Sequence, residues 1–189
     1  MIFDTDIEEC LKILTAGGII LYPTDSIWGI GCDATNEKAV DRILELKKRS
    51  DKKSVIVLIA DERDINKYVT QPHIEIYDYI KGVSKPTTII YEGAIDLADN
   101  VIGEDGTVAI RIVEEPFCKH LIKRFRKPIV STSANISGYP SPLVFNDIDI
   151  KIKEGVDYVV QYRQDENTPS TPSSIIKWNK DGTFDVLRY

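Results

Sequence analysis

Small sets of cationic and hydroxyl side chains recur beside the apolar runs of this 189-residue chain. Four stretches carry them: Tyr22-Pro23-Thr24-Asp25-Ser26-Ile27-Trp28-Gly29-Ile30-Gly31, Lys47-Lys48-Arg49, Thr107-Val108-Ala109-Ile110-Arg111, and Ser131-Thr132-Ser133-Ala134-Asn135-Ile136-Ser137-Gly138. Lysine and arginine stabilise phosphate or carboxylate charge, while serine, threonine and asparagine both donate and accept hydrogen bonds. Phosphoryl and nucleotidyl transfer run on such parts, because catalysis there is mostly positioning plus charge stabilisation. One well-aimed donor in such a site is worth about 3 kcal/mol of barrier. Other chemistries find little to work with. The chain has two histidines, His73 and His120, in no HxxxH or HExxH pattern, and no nucleophile elbow, Walker A loop or GxGxxG. Both histidines read as structural or solvent-facing. A covalent Ser–His or Cys–His mechanism and a dedicated protein metal site are therefore poorly supported.

These stretches must be positioned by the elements around them. Thr5-x-x-Glu8 reads as a capping box for a helix carrying Ile7, Leu11 and Leu14, ended by Gly17-Gly18. Ile19 to Tyr22 is a short buried strand stopped by Pro23. From Asn36 to Lys48 the period is helical, with Val40, Ile43, Leu44 and Lys47 on one side. Ser54 to Ala60 is continuous and β-branched, a central strand. A short helix over 74–80, strands over 87–91 and 107–113, a helix opened by Pro116, and a strand at Ile129-Val130 follow. Ser174–Trp178 and Phe184–Leu187 read as a hairpin turned at 179–182. Loops are expected over 92–106 and 163–172. Helices and strands alternate, yet some strands follow one another directly, which favours a mixed α/β sheet. Ligands of open α/β sheets sit outside strand ends, so the four stretches could meet at one cavity. On an alternating strand Thr107, Ala109 and Arg111 share a face, and an arginine there needs a partner or a cavity.

The bulk properties fit one soluble domain spanning 1–189. Hydrophobic residues make up 42% and charged residues 29%. No apolar run is long enough to span a bilayer, and the acidic, polar N-terminal stretch does not read as a secretory signal. Cys10, Cys32 and Cys118 are widely spaced, which points to free thiols and a reducing, cytoplasmic setting. The net charge of −6 argues against a dedicated nucleic-acid binder. Two runs, Lys47–Lys53 and Lys123–Lys127, are locally basic, which suits a small anionic ligand.

Taken together and in order, YPTDSIWGIG, the Lys-x-Arg of Lys47 and Arg49, TVAIR, and TSANISG with its Ser-x-Asn at Ser133 and Asn135 resemble the YrdC-like family. Pro172-Ser173-Ser174 and Leu187-Arg188 extend the likeness from about Gly18 to Arg188. The resemblance implies a twisted mixed sheet with flanking helices around a deep electropositive cavity. It also implies threonylcarbamoyl-adenylate synthesis: L-threonine, bicarbonate and ATP give threonylcarbamoyl-AMP and pyrophosphate. A separate transferase then passes the threonylcarbamoyl group to an adenosine beside the tRNA anticodon. Such a reaction needs no protein nucleophile. By the same resemblance Lys47 and Arg49 hold the triphosphate, Ser133 and Asn135 fix nucleotide and phosphate, and Ser141 and Arg188 also serve the nucleotide. Lys53 contacts ATP and Thr107 lies on the nucleotide side. Arg111 pairs with the threonine carboxylate, and Ser26, Ser131 and Ser173 line the amino-acid pocket. Magnesium is expected with the triphosphate, held largely by phosphates and water.

The chain departs from the family pattern in places. Ser26 stands where the family usually has Thr and keeps the hydroxyl; Trp28 stands where it has Tyr and keeps an aromatic wall. Ser84-Lys85-Pro86-Thr87-Thr88 replaces Pro-Gly-Pro-x-Thr. Longer relatives carry a further domain whose linker covers the site; here the 163–172 loop or a partner is expected to close the cavity. Two competing readings remain. One is a non-catalytic RNA- or tRNA-binding module. The other is a paralogue using carbamoyl-adenylate chemistry on another substrate. The Ser-x-Asn element favours the synthase.

Overall fold

The computed structural model describes residues 1–48, 55–179 and 181–189. Its first helix, α1 (Asp4–Thr15), turns Ile7, Cys10 and Leu14 inward. It starts two residues earlier than the capping box requires. Phe3 occupies the cap position without a side-chain cap bond, and the terminal ammonium of Met1 pairs with Asp4 instead. Thr5 therefore lies inside the first turn. Gly17, at φ +77°, reverses the chain into β1 (Ile20–Tyr22). Then come β2 (Gly29–Gly31), α2 (Glu37–Leu46, capped by the Asn36 side chain) and β3 (Ile56–Ile59). The short helices α3 (Ile65–Tyr68) and α4 (Ile74–Gly82) lead to β4 (Thr87–Glu92) and β5 (Thr107–Ile112). The chain finishes with α5 (Pro116–Phe125), β6 (Ile129–Ser133), α6 (Ile150–Gly155), β7 (Tyr158–Val159), β8 (Ser174–Trp178) and β9 (Phe184–Arg188).

The described strands form one mixed sheet in the order β7-β1-β2-β6-β3-β5-β4-β8-β9. The continuous apolar run of β3 takes the middle place, parallel to β5 and antiparallel to β6. The expected mixed α/β architecture is what the chain adopts. Four elements do not stand out in the sequence: β2, the single-turn α3, α6 and the two-residue β7. The first is hidden in Gly-Ile-Gly, which has neither an apolar run nor β-branched neighbours. Its glycines are set by close approach. A Cβ on Gly31 would lie 2.5 Å from the Val130 carbonyl oxygen and 2.6 Å from the Tyr22 ring. One on Gly29 would lie 2.8 Å from Ser131 Oγ. Only bare backbone lets β2 pass between β1 and β6.

Alternation along the strands sorts side chains to two faces. Ile110 and Ile112 of β5 look to the face on which α5 packs, with Phe117 and Leu121 buried. Arg111 looks to the other face, where the sheet forms the floor of a cavity. Asp6 of α1 is buried and accepts hydrogen bonds from Tyr158 Oη at 2.6 Å and from the backbone N–H of Gln161 and Tyr162. It thereby fixes where the 163–172 segment leaves β7.

Candidate active site

Seven residues singled out in the sequence converge on one cavity of about 500 Å³: Ser26, Arg111, Ser131, Ser133, Ser141, Ser173 and Arg188. Strand register explains the convergence. Gly29 pairs with Ser133, Ile56 with Ser131 and with Ala109, Ile90 with Ala109, and Ile175 with Arg188. The floor thus runs across β2, β6, β3, β5, β4, β8 and β9. Ile56, Ile90 and Ile175 supply its apolar part, and Trp28, packed on Phe145 at 4.8 Å, supplies an aromatic wall. The described lining contains two arginines and no carboxylate.

Arg111 is 3% exposed, and its Nη2 lies 3.2 Å from Asp25 Oδ1. The same nitrogen reaches Thr24 Oγ1 at 3.4 Å. That hydroxyl donates to the Ile27 carbonyl at 2.8 Å and meets the Ser26 hydroxyl at 3.1 Å. The Pro23–Ile27 loop is thus folded around the arginine. Arg163, at φ +67°, braces this loop from outside, donating to the Thr24 carbonyl at 3.2 Å and lying 3.9 Å from Glu115. Further along, Ser170 N–H donates to the Leu143 carbonyl at 3.1 Å, so the 163–172 segment is tied to both the Thr24 and the Leu143 walls. At the other end of the cavity, Arg188 Nε donates to the Ser173 carbonyl at 2.8 Å and Nη2 to Ser173 Oγ at 3.2 Å. Burial, and next the nearby charge of Arg111, pull the Arg188 guanidinium below its ordinary pKa.

Lys47 and Asn135 stand behind the lining. Lys47 is buried, and its ammonium donates to the carbonyls of Ser133 and, at 2.6 Å, Asn135. Its own carbonyl accepts from Ser137 N–H at 2.9 Å. The Asn135 amide donates to the carbonyls of Ile136 and Tyr139. Together they shape the turn that presents Ser133. Thr107 is not brought to the cavity: it sits at the far end of β5 from Arg111, donating to Asp105 at 2.7 Å. Arg49 and Lys53 lie outside the described residues.

A family model for Sua5, YciO and YrdC proteins, described as telomere recombination, matches residues 12–189. The chain belongs to the Sua5/YciO/YrdC family. Among its curated relatives, the threonylcarbamoyl-AMP synthase of Pseudoalteromonas translucida (strain TAC 125) is 32% identical over 87% of this chain and 90% of its own length. That of Coxiella burnetii (strain RSA 493 / Nine Mile phase I) is 33% identical over 81% and 87%. The Sua5/YciO/YrdC fold recurs in the crystal structure of E. coli YciO, with TM-score 0.83 and 21% identity over 97% of this chain and 88% of that one. It recurs in P. abyssi Sua5 complexed with L-threonine, with TM-score 0.85 and 24% identity over 97% of this chain. This chain spans about half of that protein, 54% of its length.

The polar part of this cavity's described lining thus consists of hydroxyls and two cations, with no imidazole, thiol or carboxylate. It can bind and orient an anion, and the described lining holds no base that would activate one of its hydroxyls as a nucleophile. Reading the sequence alone misses Asp25, Thr24, Glu115 and Arg163. A core-strand arginine announces that a partner exists without saying which acid supplies it. Asp25, inside the already conspicuous YPTDSIWGIG, was the available signal. Among the described residues no helix is long and apolar enough to cross a membrane.

Proposed function

We propose that this chain is a threonylcarbamoyl-AMP synthase. The observation that carries the reading is the convergence of seven hydroxyl and arginine residues on one cavity whose described lining has no acid. Curated relatives of that name, matched over most of both chains, support it. The amino group of threonine adds to bicarbonate, with loss of water, to form a carbamate. A carbamate oxygen then attacks the α-phosphate of ATP, the new O–P bond forms, and pyrophosphate leaves. The chain's part is to hold two anions in line and stabilise charge as it moves to the leaving group. Ser26, Ser131 and Arg111 serve the amino acid, with Ser173 beside them. Ser133, Ser141 and Arg188 serve the nucleotide, and Lys47 and Asn135 keep Ser133 in place. Magnesium comes with the triphosphate. The described lining offers it hydroxyls and no carboxylate, so phosphates and water hold it. The product passes to a threonylcarbamoyl transferase acting on tRNA. The buried thiols Cys10, Cys32 and Cys118 are free, which fits the reducing cytoplasm.

The test is pyrophosphate release by purified protein supplied with ATP, bicarbonate and threonine. Release that stops when threonine is left out is expected. Threonine-independent release, or none, overturns the reading.

A further inference from the structure

Thr88 of β4 is fully buried, at 0% exposure. On a strand threonine has the shape of valine, so packing alone would be met without its hydroxyl. A buried hydroxyl costs free energy unless it is hydrogen-bonded. Thr88 Oγ1 lies 2.9 Å from Ser173 Oγ, its side chain's hydrogen-bond partner among the described residues. Ile90, two residues on and on the same face of β4, lines the catalytic cavity. Thr88 is not part of that lining and reaches it through Ser173.

Ser173 is buried as well, and three contacts meet on it. Its carbonyl accepts from Arg188 Nε at 2.8 Å, and its hydroxyl oxygen accepts from Arg188 Nη2 at 3.2 Å and meets Thr88. The next residue, Ser174, donates its N–H to the Pro86 carbonyl at 2.9 Å, so the backbone here is held by the lead-in to β4. A hydroxyl carries one proton. Thr88 has Ser173 Oγ as the acceptor for its own, and a buried donor left unpaired is expensive. Thr88 therefore donates. Ser173 Oγ then accepts twice, from Thr88 and from Arg188, and its own proton is left to point into the cavity.

Arg188 needs such a guide, because the described lining of the cavity offers it no carboxylate. The β8–β9 pairing slips between Ile175 and Ile176, so that Ile175 faces Arg188 while Ile176 faces Val186. Leu187 is the extra residue of this bulge. Leu187 and Arg188 both line the cavity, although regular alternation would send them to opposite faces. The bulge turns Arg188 toward the cavity, and its two bonds to Ser173 fix the plane of its guanidinium.

We infer that Thr88 is a positioning residue for the nucleotide. Without lining the cavity, it sets the rotamer and the proton direction of Ser173, and through Ser173 the aim of Arg188. Ser173 stands beside the amino-acid group and holds the arginine assigned to the nucleotide, so Thr88 anchors the point where the two halves of the site meet. The nucleotide as ligand rests on the synthase reading.

The experiment is ATP binding by calorimetry, with pyrophosphate release followed in parallel. Thr88→Val keeps the side-chain shape and removes the hydroxyl. It should weaken ATP binding roughly 3- to 10-fold, the worth of one ordinary hydrogen bond. Thr88→Ser restores the hydroxyl and should return the affinity to within about twofold of the unsubstituted protein. In a Ser173→Ala background, Thr88→Val should change ATP affinity by less than about twofold, because the path to Arg188 is already cut. An unchanged affinity in Thr88→Val overturns the inference. So does a loss that Thr88→Ser does not recover, which would make the effect one of packing, and so does a full further loss in the Ser173→Ala background. Ser173→Ala breaks the same bond from the other side and should itself lose at least as much ATP affinity as Thr88→Val. Retained affinity there overturns the inference even should Thr88→Val fail to fold. Unchanged ATP affinity in Thr88→Val beside normal pyrophosphate release fails this inference alone. The expected affinity pattern beside threonine-independent or absent release fails the synthase reading alone.

Discussion

Arg111 and Arg188 look into the same cavity from strands of very different standing. Arg111 is on β5, inside the sheet, with Asp25 3.2 Å away and both side chains nearly buried, at 3% and 11% exposure. Arg188 is on the edge strand β9 and is held by the carbonyl and hydroxyl of Ser173, with no acid within ion-pair distance among the described residues. One guanidinium brings its own counter-ion and the other does not. A neutralised arginine can aim a donor but has part of its charge spoken for; an uncompensated one waits for an anion. Under the proposed function, Arg111 would then add an architectural part to its place in the amino-acid pocket, and Arg188 would supply mainly ligand charge, although both touch the same space.

The largest effect should come from Arg111→Ala. It strands the Asp25 carboxylate in a nearly buried site, a change that costs about 3–5 kcal/mol in comparable cases. Urea unfolding measures it. The double variant Asp25→Asn/Arg111→Met should recover most of that loss, since nothing charged is left unpaired, while pyrophosphate release stays low. A loss below about 1 kcal/mol for Arg111→Ala, in the range of an exposed pair, would show that the ion pair is solvated and erase the contrast.

Arg188→Ala should do the opposite, leaving stability within about 0.5 kcal/mol, as for an edge substitution. Hydrogen bonds to charged groups are worth about 1.5–3 kcal/mol, so the KM for ATP should rise roughly 10- to 150-fold. Arg188→Lys, which keeps the charge and loses the fork, should recover part of it. An unchanged KM with a strongly lowered unfolding midpoint would reverse the roles of the two arginines.

The sequence disclosed one side of this contrast better than the other. Arg111 was conspicuous because a charge on a β-branched core strand needs an explanation, and the central place of the neighbouring β3 followed from its own unbroken apolar run. Strand and turn chemistry pointed to the stretches; Ser26, Ser131, Ser133, Ser141, Ser173 and Arg188 could be named one by one because those stretches in order resemble a known family. Asp25 and Arg163 were hidden because their partners are distant in sequence, and only the folded loop decides which acid meets which base. Strand β2 was hidden because close packing between Tyr22 and Val130 demands glycine there, and glycine carries no periodic signal. Lys47 drew attention as a phosphate ligand, yet its ammonium is also engaged by the carbonyls of Ser133 and Asn135, a backbone role that no side-chain pattern announces.

A second ion pair sharpens the comparison at smaller scale. Glu115 is buried, caps α5 by accepting from Cys118 N–H at 2.7 Å, and has Arg163 no nearer than 3.9 Å, while Arg163 also binds Glu166 at 2.7 Å. Its cation is therefore farther away and shared, unlike that of Asp25. Burial accordingly raises the Glu115 carboxyl above the ordinary carboxylate range. The folded protein then keeps that proton to higher pH than the unfolded chain does. Below the ordinary range the buried group is neutral and carries no penalty; as pH rises through that range to the folded value, the cost of burying the charge appears and stability falls. Glu115→Gln keeps a side-chain oxygen for the cap and cannot ionise. Measured by urea unfolding from acid to neutral pH, the variant should gain on the unsubstituted protein as pH rises. A stability difference that does not change with pH would mean that Arg163 compensates Glu115 as fully as Arg111 compensates Asp25, and that the greater distance and the sharing of the cation do not matter here.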